Sequence, residues 1–91
     1  MTRAIHAIIS GRVQGVAFRW STQLKAQQLG LHGWVRNLDN GDVEVWAQGD
    51  ADKIHSLIEW LHHGPDYARV DSVEISVTPP SSTVKGAFAI R

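Results

Sequence analysis

Apolar and polar residues alternate along much of the chain, and where they do not, a period near 3.6 replaces the period of 2. In residues 4–10, AIHAIIS, the residues Ile5, Ala7 and Ile9 alternate with polar or smaller ones, which predicts a strand, with Ile8 breaking the pattern. From about Phe18 to Leu29 the chain is rich in Gln, Lys, Ala and Leu, good helix formers, and Gly30 is a natural stop. Residues 31–37, LHGWVRN, and 42–48, DVEVWAQ, read as two strands around Asp39-Asn40-Gly41. A three-residue hairpin loop puts glycine at its left-handed third position, and Gly41 stands there. That register sets Trp34 opposite Trp46 and Arg36 opposite Glu44 on one face, with Val35 opposite Val45 on the other; all three pairs are favourable. Residues 50–64 form the clearest helix. Asp50 suits the N-cap, Asp52 favours the first turn, and Ile54, Leu57, Ile58 and Leu61 make one apolar stripe. Trp60 lies off that stripe and covers its edge, and Gly64-Pro65 ends the helix. Val73, Ile75 and Val77 alternate with Glu74 and Ser76 in a half-buried strand over 68–78. PPSSTVKG is a loop, and AFAIR closes the chain as a short last strand.

The order β-α-β-β-α-β, with that short final strand, is the split βαβ arrangement of ferredoxin-like α+β sandwiches. Right-handed crossovers put both helices on one face of an antiparallel sheet. No linker, repeat or low-complexity tract interrupts residues 1–91, so one domain is expected.

Composition narrows the chemistry. Nine Lys plus Arg balance nine Asp plus Glu, so the formal net charge is zero. Nucleic-acid binding needs a basic face to neutralise phosphates, so it is not expected; one local anion site is still compatible. Without cysteine there is no disulfide, thiolate zinc site or cysteine nucleophile. No run approaches the roughly 20 apolar residues of a membrane span, and the N-terminal run is too short for a signal-peptide core. A cytoplasmic monomer is the expectation. Of the five histidines, none makes a zinc-ligand pattern: His62 and His63 are adjacent and diverge, and His55 and His62 lie two turns apart. No metal is expected. Trp34 and Trp46 could stack bases, but the basic support for that is missing. Ser10 and Ser21 lack an evident base.

The segment with the most chemical content is GRVQGVAFR, Gly11 to Arg19, between the first strand and the first helix. Helix N-termini carry unpaired N–H groups and a partial positive charge. Glycines let the backbone turn so that successive N–H groups face inward as an anion nest. Arg19, at the helix start, adds a planar fork that binds two oxygens of one phosphate or carboxylate. Neither a Walker A loop nor a Gly-x-Gly-x-x-Gly is present, so NTPase and dinucleotide chemistry do not fit. Composition by itself leaves open a strand-to-helix turn that holds nothing.

Gly11-Arg-Val-Gln-Gly15-Val-Ala-Phe-Arg19 resembles a signature of the acylphosphatase family. A second segment, Gly33-Trp-Val-Arg-Asn37-Leu-Asp-Asn-Gly41-Asp-Val43 through Gly49, is similar to that family's other signature, and the likeness extends over nearly the whole chain. The resemblance implies a metal-free, cofactor-free hydrolase that splits a small-molecule acyl phosphate into carboxylate and inorganic phosphate. It implies that Arg19 binds the phosphate, that Asn37 positions the attacking water, and that the backbone of Gly15, Val16, Ala17 and Phe18 surrounds the phosphate. Ala17, Leu38, Asp39 and Asn40 stand where relatives vary and carry little weight. A non-catalytic anion-binding module would keep Arg19 and the loop without needing Asn37. Larger maturation enzymes that begin with such a module continue Phe-Arg-Pro, whereas Trp20 follows Arg19 here, and the chain ends at residue 91; a stand-alone enzyme is expected. The C-terminal carboxylate of Arg91 is a candidate for holding Arg19 in place.

Overall fold

The computed structural model describes residues 1–91. Alternation along β1 (Thr2–Arg12) turns Ile5, Ala7 and Ile9 to one side, where each is almost fully buried. Their cover is supplied by α1 (Phe18–Gln28) and α2 (Ala51–Leu61), and the remaining strands are β2 (His32–Asn37), β3 (Val43–Asp50), β4 (Arg69–Thr78) and β5 (Ala89–Ile90). The sheet order is β4-β1-β3-β2-β5. The first four strands are antiparallel to their neighbours, with both helices on one face, as the ferredoxin-like reading expects. The fifth departs from it: β5 pairs with β2 in parallel, so the sheet is mixed.

The two helices meet the sheet differently. In α2, Ile54, Leu57 and Leu61 are buried, Ile58 is half-buried, and the Asp50 side chain caps the helix by accepting from the Asp52 N–H at 3.0 Å. α1 buries only Phe18, Thr22 and Ala26, a stripe of residues four apart. The Thr22 hydroxyl is satisfied inside the core by donating to the Phe18 carbonyl at 2.7 Å. Trp60 does more than cover an edge: its ring meets that of Phe18 at 5.7 Å between centroids, linking the helices. Edge strand β4 is less buried than its alternation predicts. Val73 and Ile75 are half-buried and Val77 is 72% exposed, because α2 packs over β1 and β3 and does not reach the edge.

The β2–β3 hairpin has the predicted register, Trp34 opposite Trp46, Val35 opposite Val45 and Arg36 opposite Glu44. Leu38 and Asp42 close the loop with an N–H to carbonyl bond of 2.8 Å, and Gly41 has φ 97°. On the sheet face away from the helices, Glu44 accepts hydrogen bonds from His6 (2.7 Å) and Arg36. The guanidinium of Arg91 stacks over Trp34 on that side at 4.7 Å. Burial pushes the Glu44 carboxyl up, but hydrogen bonds and charge from His6 and Arg36 outweigh it and hold the group below its ordinary value. A carboxylate depressed in the folded state stabilises above its unfolded pKa, and that contribution is lost as pH falls through the folded one. The difference in thermal midpoint between wild type and Glu44→Gln is therefore expected to be largest near neutral pH and to shrink from about pH 5 downward. A difference constant with pH would assign the effect to packing alone.

The segment after β4 is tied back over the sheet by Gln48, whose amide donates to the Ser81 carbonyl at 2.7 Å and accepts from its N–H at 2.8 Å. Gln23 of α1 donates to the Phe88 carbonyl at 3.0 Å, and the Arg91 N–H donates to the Val35 carbonyl at 2.9 Å. These bonds, with buried Phe88, bring β5 to the end of β2 that carries Asn37.

Candidate active site

A register shift between Ser10 and Gly11 ends the regular part of β1, and Val13, 1% exposed, anchors the chain as it leaves the sheet. The backbone then turns through Gly15, φ 75°, and Ala17, φ 63°. Ala17 is the N-cap of α1 and offers no side-chain cap, and the first turn holds no acid. A left-handed alanine costs about 1–2 kcal/mol, so position 17 carries more structural weight than its variability among relatives implied. None of the turn and cap hydrogen bonds is donated by the N–H groups of Gly15, Val16, Ala17 or Phe18. The helix thus starts with free donors and no carboxylate to neutralise them, which is what an anion requires.

A cavity of about 220 Å³ opens at this turn. Gly15, Ala17, Phe18 and Arg19 form one wall, and Asn37, from the last position of β2, forms another. The two motifs, separated in sequence by α1, therefore meet. Val16 is the exception among the predicted residues: its side chain packs, partly buried, against the core and does not line the cavity. Arg19 is exposed and has no hydrogen bond or ion pair within the protein. The Arg91 carboxylate, a candidate for holding it, makes no ion pair with it; the adjacent β5 backbone bonds to β2 and the Arg91 side chain stacks over Trp34 on the other face. The amide oxygen of Asn37 is buried without a hydrogen-bond partner. An unsatisfied buried acceptor costs about 1–3 kcal/mol unless something donates to it.

Three residues at the site escape a reading of sequence alone. Gln14 donates from its amide to the carbonyls of Leu38 (2.7 Å) and Asp42 (2.9 Å). It thereby fastens the loop before α1 to the hairpin that bears Asn37, and its place inside the first motif was the available signal. Trp20 and Ile90 line the cavity. Trp20 follows the motif directly, and Ile90 reaches the site only through the parallel pairing of β5.

The acylphosphatase family model matches residues 5–90. The chain belongs to the acylphosphatase family. An acylphosphatase of Rubrobacter xylanophilus is 46% identical over 99% of this chain and 81% of its own length. Another, of Thermococcus kodakarensis, is 52% identical over 82% of each chain. The solved structure of an acylphosphatase from Coxiella burnetii superposes with a TM-score of 0.93 at 43% identity, covering 99% of this chain and 93% of that one. The function is that of an acylphosphatase, with an acyl phosphate as substrate and phosphate as product. No helix is long and apolar enough to cross a membrane.

Proposed function

We propose that the phosphoryl group of the substrate sits in the nest from Gly15 to Phe18 under the Arg19 fork, and that Asn37 orients the water that attacks it. The observation that carries this reading is the meeting of the free loop N–H groups, an unpaired arginine and an unpartnered asparagine oxygen in one cavity. Water attacks phosphorus as the bond from phosphorus to the bridging oxygen breaks, and the carboxylate leaves. A carboxylate needs no strong acid to expel it, and the water's proton passes to a phosphate oxygen. Charge spread over the equatorial oxygens meets the loop donors and Arg19, so catalysis is mainly electrostatic and positional. The Asn37 oxygen accepts from the water and holds it in line, reducing the entropic part of the barrier. Its neutral amide is no strong base. A module that only bound anions would have no use for it. Zero net charge supports an enzyme that acts without nucleic acid, and the absence of cysteine fits a reducing, cytoplasmic compartment. One core running from β1 to Phe88 supports a single domain over 1–91.

The test is metal-independent hydrolysis of benzoyl phosphate, with a chelator present. Asn37→Ala is expected to lower kcat by about 10²–10³-fold while phosphate still inhibits, since the loop and Arg19 remain. Near-normal turnover in the folded variant would remove Asn37 from the mechanism.

A further inference from the structure

Two of the apolar side chains on the cavity do little for the core. Val13 and Phe18 are each 1% exposed and form its floor, whereas Trp20 is 59% and Ile90 39% exposed. They come from opposite ends of the chain: Trp20 from the first turn of α1 beside Arg19, Ile90 from β5 beside β2. An isolated exposed apolar residue needs no explanation, but here two converge on the rim of a concave site. The phosphoryl half of the substrate has no use for them, because its oxygens are met by N–H groups and a guanidinium. The substrate's other half, the acyl group, extends from the bridging oxygen away from the loop and so toward the rim. Apart from Arg19, Asn37 and the indole N–H of Trp20, no side chain lining the cavity carries a polar group. A charged acyl group would lose its water there for a single indole donor at the rim, whereas an apolar one would cover exposed indole and aliphatic surface.

We infer that Trp20 and Ile90 form an acyl-group subsite that selects aromatic or branched apolar acyl phosphates over small or charged ones. This rests on the phosphate site proposed above. Trp20 sets the selectivity because its ring presents more free surface, and an aromatic acyl group can stack on it. Since Trp20 is largely exposed, truncating it leaves the fold standing.

The experiment compares kcat/KM for benzoyl phosphate and acetyl phosphate, together with inhibition by inorganic phosphate, in wild type, Trp20→Ala, Trp20→Phe and Arg19→Ala. In Trp20→Ala the benzoyl-to-acetyl ratio is expected to fall about tenfold. Trp20→Phe restores it to within about threefold of wild type, because a ring remains. The inhibition constant of phosphate, which samples only the charged half of the site, moves less than the ratio does. An unchanged ratio, or an equal loss on both substrates with weakened phosphate inhibition, would overturn the subsite. Retention of turnover and phosphate inhibition in Arg19→Ala would overturn the phosphate site itself, an outcome distinct from the other two.

Discussion

Replacing Arg19 by alanine is expected to lower kcat/KM for an acyl phosphate by at least about 10³-fold, or about 4 kcal/mol of transition-state stabilisation. It should also weaken inhibition by inorganic phosphate. Arg19 is the one cationic side chain lining the cavity, and it adds to the loop the charge that backbone dipoles cannot match. The effect should fall on activity alone. Arg19 is exposed and makes no ion pair within the protein, so its removal breaks no contact that holds the fold. A urea midpoint within error of wild type, beside the lost turnover, is the expected pair of results. Arg19→Lys should recover part of the phosphate binding and less of the rate, because an ammonium is a point charge without the bidentate fork. A folded Arg19→Ala enzyme with near-normal kcat/KM would show that the loop N–H groups suffice.

Gly33→Ala should have the largest effect on stability. Gly33 has φ 140° within β2, a conformation that side-chain-bearing residues rarely adopt. A Cβ there would land on the carbonyl oxygen of Trp46, 2.9 Å from its carbonyl carbon and 3.0 Å from the Ala47 Cα. Those atoms are backbone of β3, held between β1 and β2, and cannot swing aside as a flexible side chain would. The ladder must open. Backbone strain of about 1–3 kcal/mol adds to the broken pairing, so we expect a loss above about 3 kcal/mol from a total of about 5–15. The thermal midpoint should fall by at least about 12 °C. Gly30→Ala is the control: its φ is 71°, but nothing lies within 4 Å of the added atom, so only strain of about 1–2 kcal/mol remains. Equal losses in the two variants would mean that the contact with β3 is relieved at no cost. Asn37 lies four residues further along the same strand, so activity should fall with the pairing.

The hairpin was legible in the sequence because turn chemistry and cross-strand pairs agree on one register, and Gly41 fixes the loop between them. α2 was legible because its stripe, N-cap and terminator coincide. Both motifs could be picked out of the sequence, yet only the fold brings Arg19 and Asn37 to one cavity. What escaped has physical causes. Alternation reports which way a side chain points, not whether anything covers it, so Val77 looked half-buried and is open. A strand of two residues has no period, so the direction of β5, and with it the position of Ile90, left no trace. Ala17 is left-handed because the loop must turn into a helix there, against alanine's own preference. The stacking of Arg91 over Trp34 depends on that same parallel pairing, so nothing in the sequence could separate the Arg91 carboxylate from other candidates for holding Arg19.

The central position of β1 has a consequence for kinetics. Ile5 pairs with Ala47 on one side and Val77 on the other, so the first strand cannot be completed until distant parts of the chain have arrived. Closing such long loops before their contacts form slows folding, to the millisecond-to-second range typical of non-local topologies. The cavity walls are later still, because they need the loop after β1, the end of β2 and the outermost strand together. With phosphate at the site proposed above, a half-assembled chain would offer it nothing to bind, so phosphate is expected to slow unfolding and to leave the folding rate unchanged.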